Sequence, residues 1–340
     1  MKNINYILYI SYSLIIAMHT ACSPQNSNNE KFHDAWDKVV NVKEQIHEIN
    51  TDSVLISGNS TPYITNKYLL ITDSRSFDYT IYAFDKKTFH YQGCFAHQGE
   101  GPNEITRIGN LGINDERGEI YITDHGKQKI VSCNVDSALM DSSYVLKDVA
   151  SLKKTQFPSE YTYINDTLCI GRFIFPIGDT DYKPHIAKWN MHTGEYKIID
   201  HDYPNMKYKR ISCGVSLENS LYVEAYTFHD LFAIADFEGN LKYNIHGPNW
   251  ELNPREKIHY YDKAVFRKGQ IIIGYSGGNN QTDAYYSTMF HVFDLDGNYL
   301  KTLNVGYKIL RYCYDKDNDR LIICFNDEIQ YGYLDLKDLI

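Results

Sequence analysis

The chain has 340 residues, of which 43% are hydrophobic and 23% charged, and its formal net charge is −9 at pH 7. This composition excludes a disordered chain and a polytopic membrane protein. The acidic balance argues against a nucleic-acid binder that works by neutralising phosphates. Tyrosine is the outlier, with 30 residues against three tryptophans.

Lys2 is the only charge before Glu30, and residues 6–18 are mostly apolar. The run is short for a transmembrane helix and fits the core of a signal peptide. It ends in Met18-His19-Thr20-Ala21-Cys22. Small residues before a cysteine resemble the lipobox of bacterial lipoproteins, although His19 stands where leucine is usual. That resemblance implies a signal peptide over residues 1–21 and a diacylated Cys22 as mature N-terminus. It also implies an address in the bacterial cell envelope, at the outer membrane. Residues 22–41 then read as a tether and short N-terminal segment, opening on the polar run Ser23-Pro24-Gln25-Asn26-Ser27-Asn28-Asn29. Lipid chains on one cysteine hold a protein on a membrane without a spanning helix. Phe32, Trp36, Val39 and Val40 fall at helical spacing and predict a short packing helix over residues 31–41. Asp52-Ser53-Val54, Asp136-Ser137-Ala138 and Asp166-Thr167-Leu168 resemble the O-glycosylation sequon of secreted Bacteroidetes proteins. Asp-Ser is also ordinary turn chemistry.

From residue 42 onward a repeat sets the architecture. Its apolar column is Leu69-Leu70-Ile71, Ile120-Tyr121-Ile122, Leu168-Cys169-Ile170, Leu221-Tyr222-Val223, Ile271-Ile272-Ile273 and Leu321-Ile322-Ile323, at spacings of 51, 48, 53, 50 and 50 residues. An all-β period of roughly 40–50 residues means propeller blades. A hairpin column follows, with turns at Phe84-Asp85-Lys86-Lys87, Asn190-Met191-His192-Thr193-Gly194, Asp236-Phe237-Glu238-Gly239 and Asp294-Leu295-Asp296-Gly297. In the second repeat, Asn134-Val135-Asp136-Ser137 reads as a looser turn, and four strands fall near residues 109–114, 119–124, 129–134 and 143–147. The last repeat ends too soon for a fourth strand. Residues 43–50 can supply it, closing a ring over residues 42–340 with no open edge. The fold expected is an all-β, six-bladed propeller with four-stranded antiparallel blades.

His97-Gln98-Gly99-Glu100-Gly101-Pro102-Asn103-Glu104 resembles the Gly-x-Gly-Pro-x-Glu signature of the six-bladed, TolB-like β-propeller lipoproteins of Bacteroidetes. The resemblance spans residues 40–340. His97 stands where such proteins often carry Arg or Lys, and Asn103 where Gly is common. It implies the same fold and leaves the activity open.

Several motifs bear on chemistry. Gly99, Glu100, Gly101, Pro102 and Glu104 form a candidate binding loop whose successive N–H groups suit an anion, against a simple packing turn. His97, His125, Glu224 and His229 are candidates for a tunnel or face site, because they lie at or just beyond the ends of strands. Gly274-Tyr275-Ser276-Gly277-Gly278 matches a nucleophile elbow, but a strand and not a helix follows it, so Ser276 reads as a loop residue. Asp315-Lys316-Asp317-Asn318-Asp319 begins like a calcium loop, with Arg320 where glycine is needed. A looser calcium site is the one cofactor the sequence suggests. Asp73 and Asp124 recur at the ends of equivalent strands, which points to turn hydrogen bonds. Of the seven cysteines, all but Cys22 sit mostly in apolar runs and read as buried thiols. A turn centred on residues 318–319 would set Cys313 opposite Cys324. Trp250 lies in a loop suited to a surface.

The expected function is a membrane-anchored extracytoplasmic binding module, monomeric, gripping a protein, peptide or glycan through its loop face or tunnel. The alternative is a metal-assisted hydrolase or lyase with a tunnel-centred site.

Overall fold

The computed structural model describes residues 29–340 except 52–53, 153–156, 178–180, 202 and 204. Almost every described residue outside turns is in a strand. Blade 1 is β4 (Ser60–Ile64), β5 (Tyr68–Asp73), β6 (Tyr79–Asp85) and β7 (Tyr91–His97). Blade 2 is β8 (Ile108–Asn114), β9 (Glu119–Asp124), β10 (Lys129–Asn134) and β11 (Lys147–Ser151). Blade 3 is β12 (Phe157–Tyr163), β13 (Leu168–Ile177), β14 (Asp181–Asn190) and β15 (Tyr196–Ile198). Blade 4 is β16 (Ile211–Ser216), β17 (Leu221–Tyr226), β18 (Leu231–Asp236) and β19 (Leu241–His246). Blade 5 is β20 (Ile258–Arg267), β21 (Gln270–Asn279), β22 (Ser287–Asp294) and the first half of β23 (Tyr299–Asp315). The second half of β23 is the inner strand of blade 6, followed by β24 (Arg320–Phe325) and β25 (Tyr331–Asp335). Gly306, at φ +71°, lies where this shared strand passes from one blade to the next.

Both faces of a blade pack on its neighbours, so the second strands are apolar without alternation. Leu69, Leu70, Ile71, Ile271, Ile272 and Ile273 have no exposed surface. Six apolar clusters each join two neighbouring blades, and the sixth joins blade 6 to blade 1 through Ile322, Cys324 and Tyr331 against Leu69, Ile71 and Tyr82. The ring is therefore closed by burial as well as by pairing. Its seam is β3 (Ile46–Glu48), which runs antiparallel to β25 and completes blade 6 as expected.

Three expectations are corrected. Residues 31–41 are extended, not helical. β1 (Glu30–Phe32) adds a parallel fifth strand to blade 4 at β19, and β2 (Val39–Asn41) does the same on blade 5 at β23. The outer strands offer unpaired edges that an extended segment satisfies and a short helix would not. Trp36, between the two strands, packs 5.0 Å from Tyr299 and edge-on to Phe293. In blade 2, the segment after Asn134 is a helix, α1 (Val135–Met140), because the Asn134 side chain caps it by accepting from Ser137 N at 3.0 Å. The fourth strand begins at Lys147 in consequence. Finally, the hairpin 315–320 pairs Asp315 with Arg320, so Cys313 faces Ile322 and Cys324 faces Arg311. The turn takes four residues, 316–319, which sets the register two residues away from the one that would pair the two cysteines. All six described cysteines are free thiols. Cys22 lies outside the described residues, as do Asp52 and Ser53 of the first glycosylation-like triplet.

Candidate functional site at the upper mouth of the ring

Each blade is an up-and-down meander, so its loops fall at two ends. We call upper the end where second strands finish, third strands begin and one blade passes to the next. His97, the 99–104 loop, His125, Glu224 and His229 all lie at this end. They do not form one cluster: the first three groups sit between blades 1 and 2, and the other two belong to blade 4.

The signature loop holds itself. Glu104 turns its carboxylate back to accept from Gly101 N at 2.7 Å, and Thr106 Oγ1 donates to Gly99 O at 2.9 Å. Lys127 Nζ donates to the carbonyls of Gly101 and Glu104. A Cβ on Gly99 would come within 2.0 Å of Glu104 Oε2, so the first glycine is needed to admit the glutamate. Gly101 N is thereby taken by Glu104, and Gly99 N donates to Ile105 O at 3.0 Å. Asn103 bonds Tyr144 O and Leu146 N and pins the long excursion after α1. His97 packs on Tyr79 and lies 3.2 Å from Asp78. His125 sits over Gly109, and burial lowers its pKa. Asp73 and Asp124 do the turn work expected of them: Asp73 accepts from Ser57 N and Arg75 N, and Asp124 from Thr106, Arg107 and Gly126 N.

Glu224 lies between blades 3 and 4, fully buried, in a charged network. Lys209 Nζ is 2.8 Å from Asp200 and 3.4 Å from Glu224, and His185 Nδ1 is 3.0 Å from Asp200. Tyr226 Oη donates to Glu224 at 2.8 Å, and His201 N at 3.3 Å. Burial pushes the Glu224 carboxyl up to about 7; Lys209 opposes that rise and Asp200 adds to it. Lys209 is pulled down by burial, but Glu224 and Asp200 more than restore it, so its pKa is raised. Lys209 thus lies closer to Asp200 than to Glu224, and burial favours the protonated form of Glu224. His229 is buried with its two nitrogens 2.9 and 2.7 Å from the carbonyls of Glu251 and Lys207, and it packs beside Trp250.

A second polar group faces the bore from the inner strands. Glu160 (blade 3) carries the charge influence of Arg172 in its own blade, Lys263 in blade 5 and Arg311 in blade 6. Blades 3 and 6 are opposite one another, so these side chains can meet only across the tunnel. Tyr63 of blade 1 is raised first by burial and also feels the charges of Glu160 and Arg311. Arg210, just ahead of β16, is lowered first by burial and then by Arg172 and Arg311. No sequence motif marks these residues. One signal was present: Arg172 occupies, in the third repeat, the column held by Asp73 and Asp124.

The remaining motifs are structural. Ser276 Oγ donates to Ala284 O at 2.7 Å and accepts from Gly278 N at 2.9 Å, at the edge of an open cleft of about 400 Å³ that also holds the Asp283–Lys308 pair. Asp315, Asp317 and Asp319 turn to three different cations, Arg320, Lys86 and Arg267. Among the described residues, no three His, Cys, Asp or Glu side chains are placed to hold a metal ion together.

This ring is a six-bladed β-propeller. A family model described as DUF5128, a 6-bladed beta-propeller, matches residues 26–169. Among solved structures, a protein described as exported from Bacteroides fragilis NCTC 9343 is 13% identical, with TM-score 0.55 and 87% of each chain covered. A member of the DUF4221 family from Bacteroides vulgatus is also 13% identical, with TM-score 0.56, covering 85% of this chain and 94% of its own. At such identity the likeness is one of fold. No curated protein matches the chain.

Proposed function

We propose that the protein is an extracytoplasmic binding module of the bacterial cell envelope, lipid-anchored at Cys22 in the outer membrane, that grips a protein, peptide or glycan partner on its upper face. The observation that carries this reading is where the chain leaves large apolar side chains in solvent. Leu55, Phe77, Ile177, Tyr182, Tyr208 and Leu252 are all exposed, Phe77 fully so, and all lie on upper loops or at the strand ends beside them. The lower connections expose fewer, Met140, Val145 and Leu217, and Phe32, Val39, Val40, Tyr196 and Ile198 are exposed along the outer strands. Exposed apolar groups gathered at one end of a rigid scaffold favour a contact surface.

The N-terminal strap supports the orientation. β1 runs parallel to β19 and so climbs toward the upper face, with Asn29 bonded to Leu241 O at the lower end. Cys22 stands seven residues before Asn29, a stretch that spans at most about 25 Å. An anchor there tethers the ring from below and turns the upper face away from the membrane.

Two experiments test the reading. Cys22→Ala should move the protein from the membrane to the soluble fraction. A photo-crosslinking residue at position 77 or 208 should capture a partner in intact cells, whereas one at position 140 or 217 should not. Adducts confined to the lower positions, or absent from all four, would refute the upper-face site.

A further inference from the structure

The bore-facing cations are poorly matched. Lys263 Nζ and the Arg210 guanidinium make no hydrogen bond or ion pair within 4.0 Å among the described residues; Arg210 only lies 5.9 Å over the Phe228 ring. Among the described residues, Arg311 bonds only the neighbouring Leu310 carbonyl, at 2.6 Å. Arg172 is the best held, donating to Ser159 Oγ at 2.9 Å and Ile211 O at 2.7 Å. Two carboxylates share the space. Glu160 lies 3.8 Å from Arg172 and accepts from Cys213 N at 3.5 Å, and Asp262 lies 3.1 Å from His259. Four cations thus face two acids, in a chain whose net charge is −9. Elsewhere on the ring the buried cations are matched: Arg267 with Asp319, Arg320 with Asp315, Lys209 with Asp200. Arg210 and Arg311 are exposed and Arg172 and Lys263 half-buried, so the group stands open to solvent at the mouth, where four like charges with two acids between them set up a positive field.

We propose that the upper mouth of the tunnel is a binding site for an anionic group carried by the partner, a carboxylate, sulfate or phosphate, clamped by Arg172, Arg210, Lys263 and Arg311. The four side chains come from blades 3, 5 and 6 and from the entry to blade 4, so they are spread around the ring at its mouth. Guanidinium groups match such anions with paired N–H donors, and the ammonium of Lys263 adds a point charge. Glu160 is consistent with this field. Burial works against its ionisation, yet Arg172, Lys263 and Arg311 hold its carboxyl below the usual range. The proposal rests on the upper-face reading and narrows it to a partner that carries negative charge.

The test uses the full chain in neutral detergent, with inorganic sulfate, inorganic phosphate and glucuronate as probes at constant ionic strength. At least one probe should bind saturably at a single site by calorimetry and raise the melting temperature. The double variant Arg210→Gln/Lys263→Gln should weaken that binding by about tenfold or more. Without anion it should melt no lower than the wild type, because it removes repulsion and breaks no ion pair. Lys308→Gln, at the cleft beside Ser276, should bind the probes as the wild type does. Which probe binds most tightly assigns the anion class. Stabilisation that is equal in the double variant, or that never saturates, overturns the site. If no probe binds but crosslinks at positions 77 and 208 persist, the anion site fails and the docking face stands; if the crosslinks vanish too, both fail.

Discussion

Glu224→Gln should change the pH dependence of stability. The Glu224 carboxyl is raised from its ordinary 4.5 to about 7, first by burial and further by Asp200. In the unfolded chain it titrates near the ordinary value, so between these two values the native state holds the extra proton. Stability then falls as pH rises from about 4.5 to about 7 and levels off above it, and the gap between the two values corresponds to about 3 kcal/mol. Glutamine has no proton to lose. It can still accept from Tyr226 through its carbonyl, but its amide group faces His201 N, which costs about 1 kcal/mol for a lost hydrogen bond. The variant should therefore be about 1 kcal/mol less stable than wild type at pH 4, about equal to it near pH 5 and about 2 kcal/mol more stable at pH 8. For a ring of this size the unfolding entropy is roughly 0.65 kcal/mol/K, so Tm should fall by about 1.5 °C at pH 4 and rise by about 3 °C at pH 8. Calorimetric scans of both proteins across this range measure the crossing. Parallel curves would mean that Glu224 is ionised throughout, and the reasoning about its burial would be wrong.

Gly99→Ala should displace Glu104 from its own loop, since the new methyl lands 2.0 Å from Oε2; faster amide exchange over residues 99–107, with global stability lower by about 1–2 kcal/mol, checks this. Trp36→Ala should loosen the strap, with a loss of about 2–4 kcal/mol and earlier proteolysis of residues 29–42, whereas Trp36→Phe should cost less because the buried Trp36 Nε1 has no partner among the described residues. Equal losses for the two would assign Trp36 a polar role. Alkylation of the denatured, unreduced protein should label Cys94, Cys133, Cys169, Cys213, Cys313 and Cys324 in full; a Cys313–Cys324 cross-linked peptide would contradict the register that sets Cys313 against Ile322.

The blades were legible because the second strand of each is buried on both faces, and such a strand must be apolar throughout. That requirement repeats with the blade and shows in the chain as a period. The hairpins were legible for a local reason: Asp85, Asn190, Asp236 and Asp294 each accept main-chain N–H groups two residues on or further along, and these bonds need only the turn. The strap was not legible. β1 and β2 are three residues each, and they are strands only because β19 and β23 present free edges to them. Trp36 and its neighbours at helical spacing therefore misled. α1 could have been found, since Asn134 and Ser137 stand at capping distance before an apolar face. The register at Cys313 turned on the length of one turn, which composition does not fix.

The candidate site divides in the same way. The signature loop was visible as Gly-x-Gly-Pro-x-Glu, and the structure explains its spacing through the return of Glu104 to Gly101. The bore cations come from four places far apart in the chain and meet only when the ring closes. Only Arg172, in the column that Asp73 and Asp124 hold in the two repeats before it, broke a pattern that could be read beforehand.

Crystals soaked in selenate test the central claim most directly, because selenium marks an oxyanion by its anomalous scattering. The account predicts a peak at the upper mouth of the tunnel, within hydrogen-bond distance of Arg172, Arg210, Lys263 and Arg311, that is lost in Arg210→Gln/Lys263→Gln crystals. An empty mouth, with Arg210 and Lys263 paired instead to Glu160 and Asp262, would contradict it.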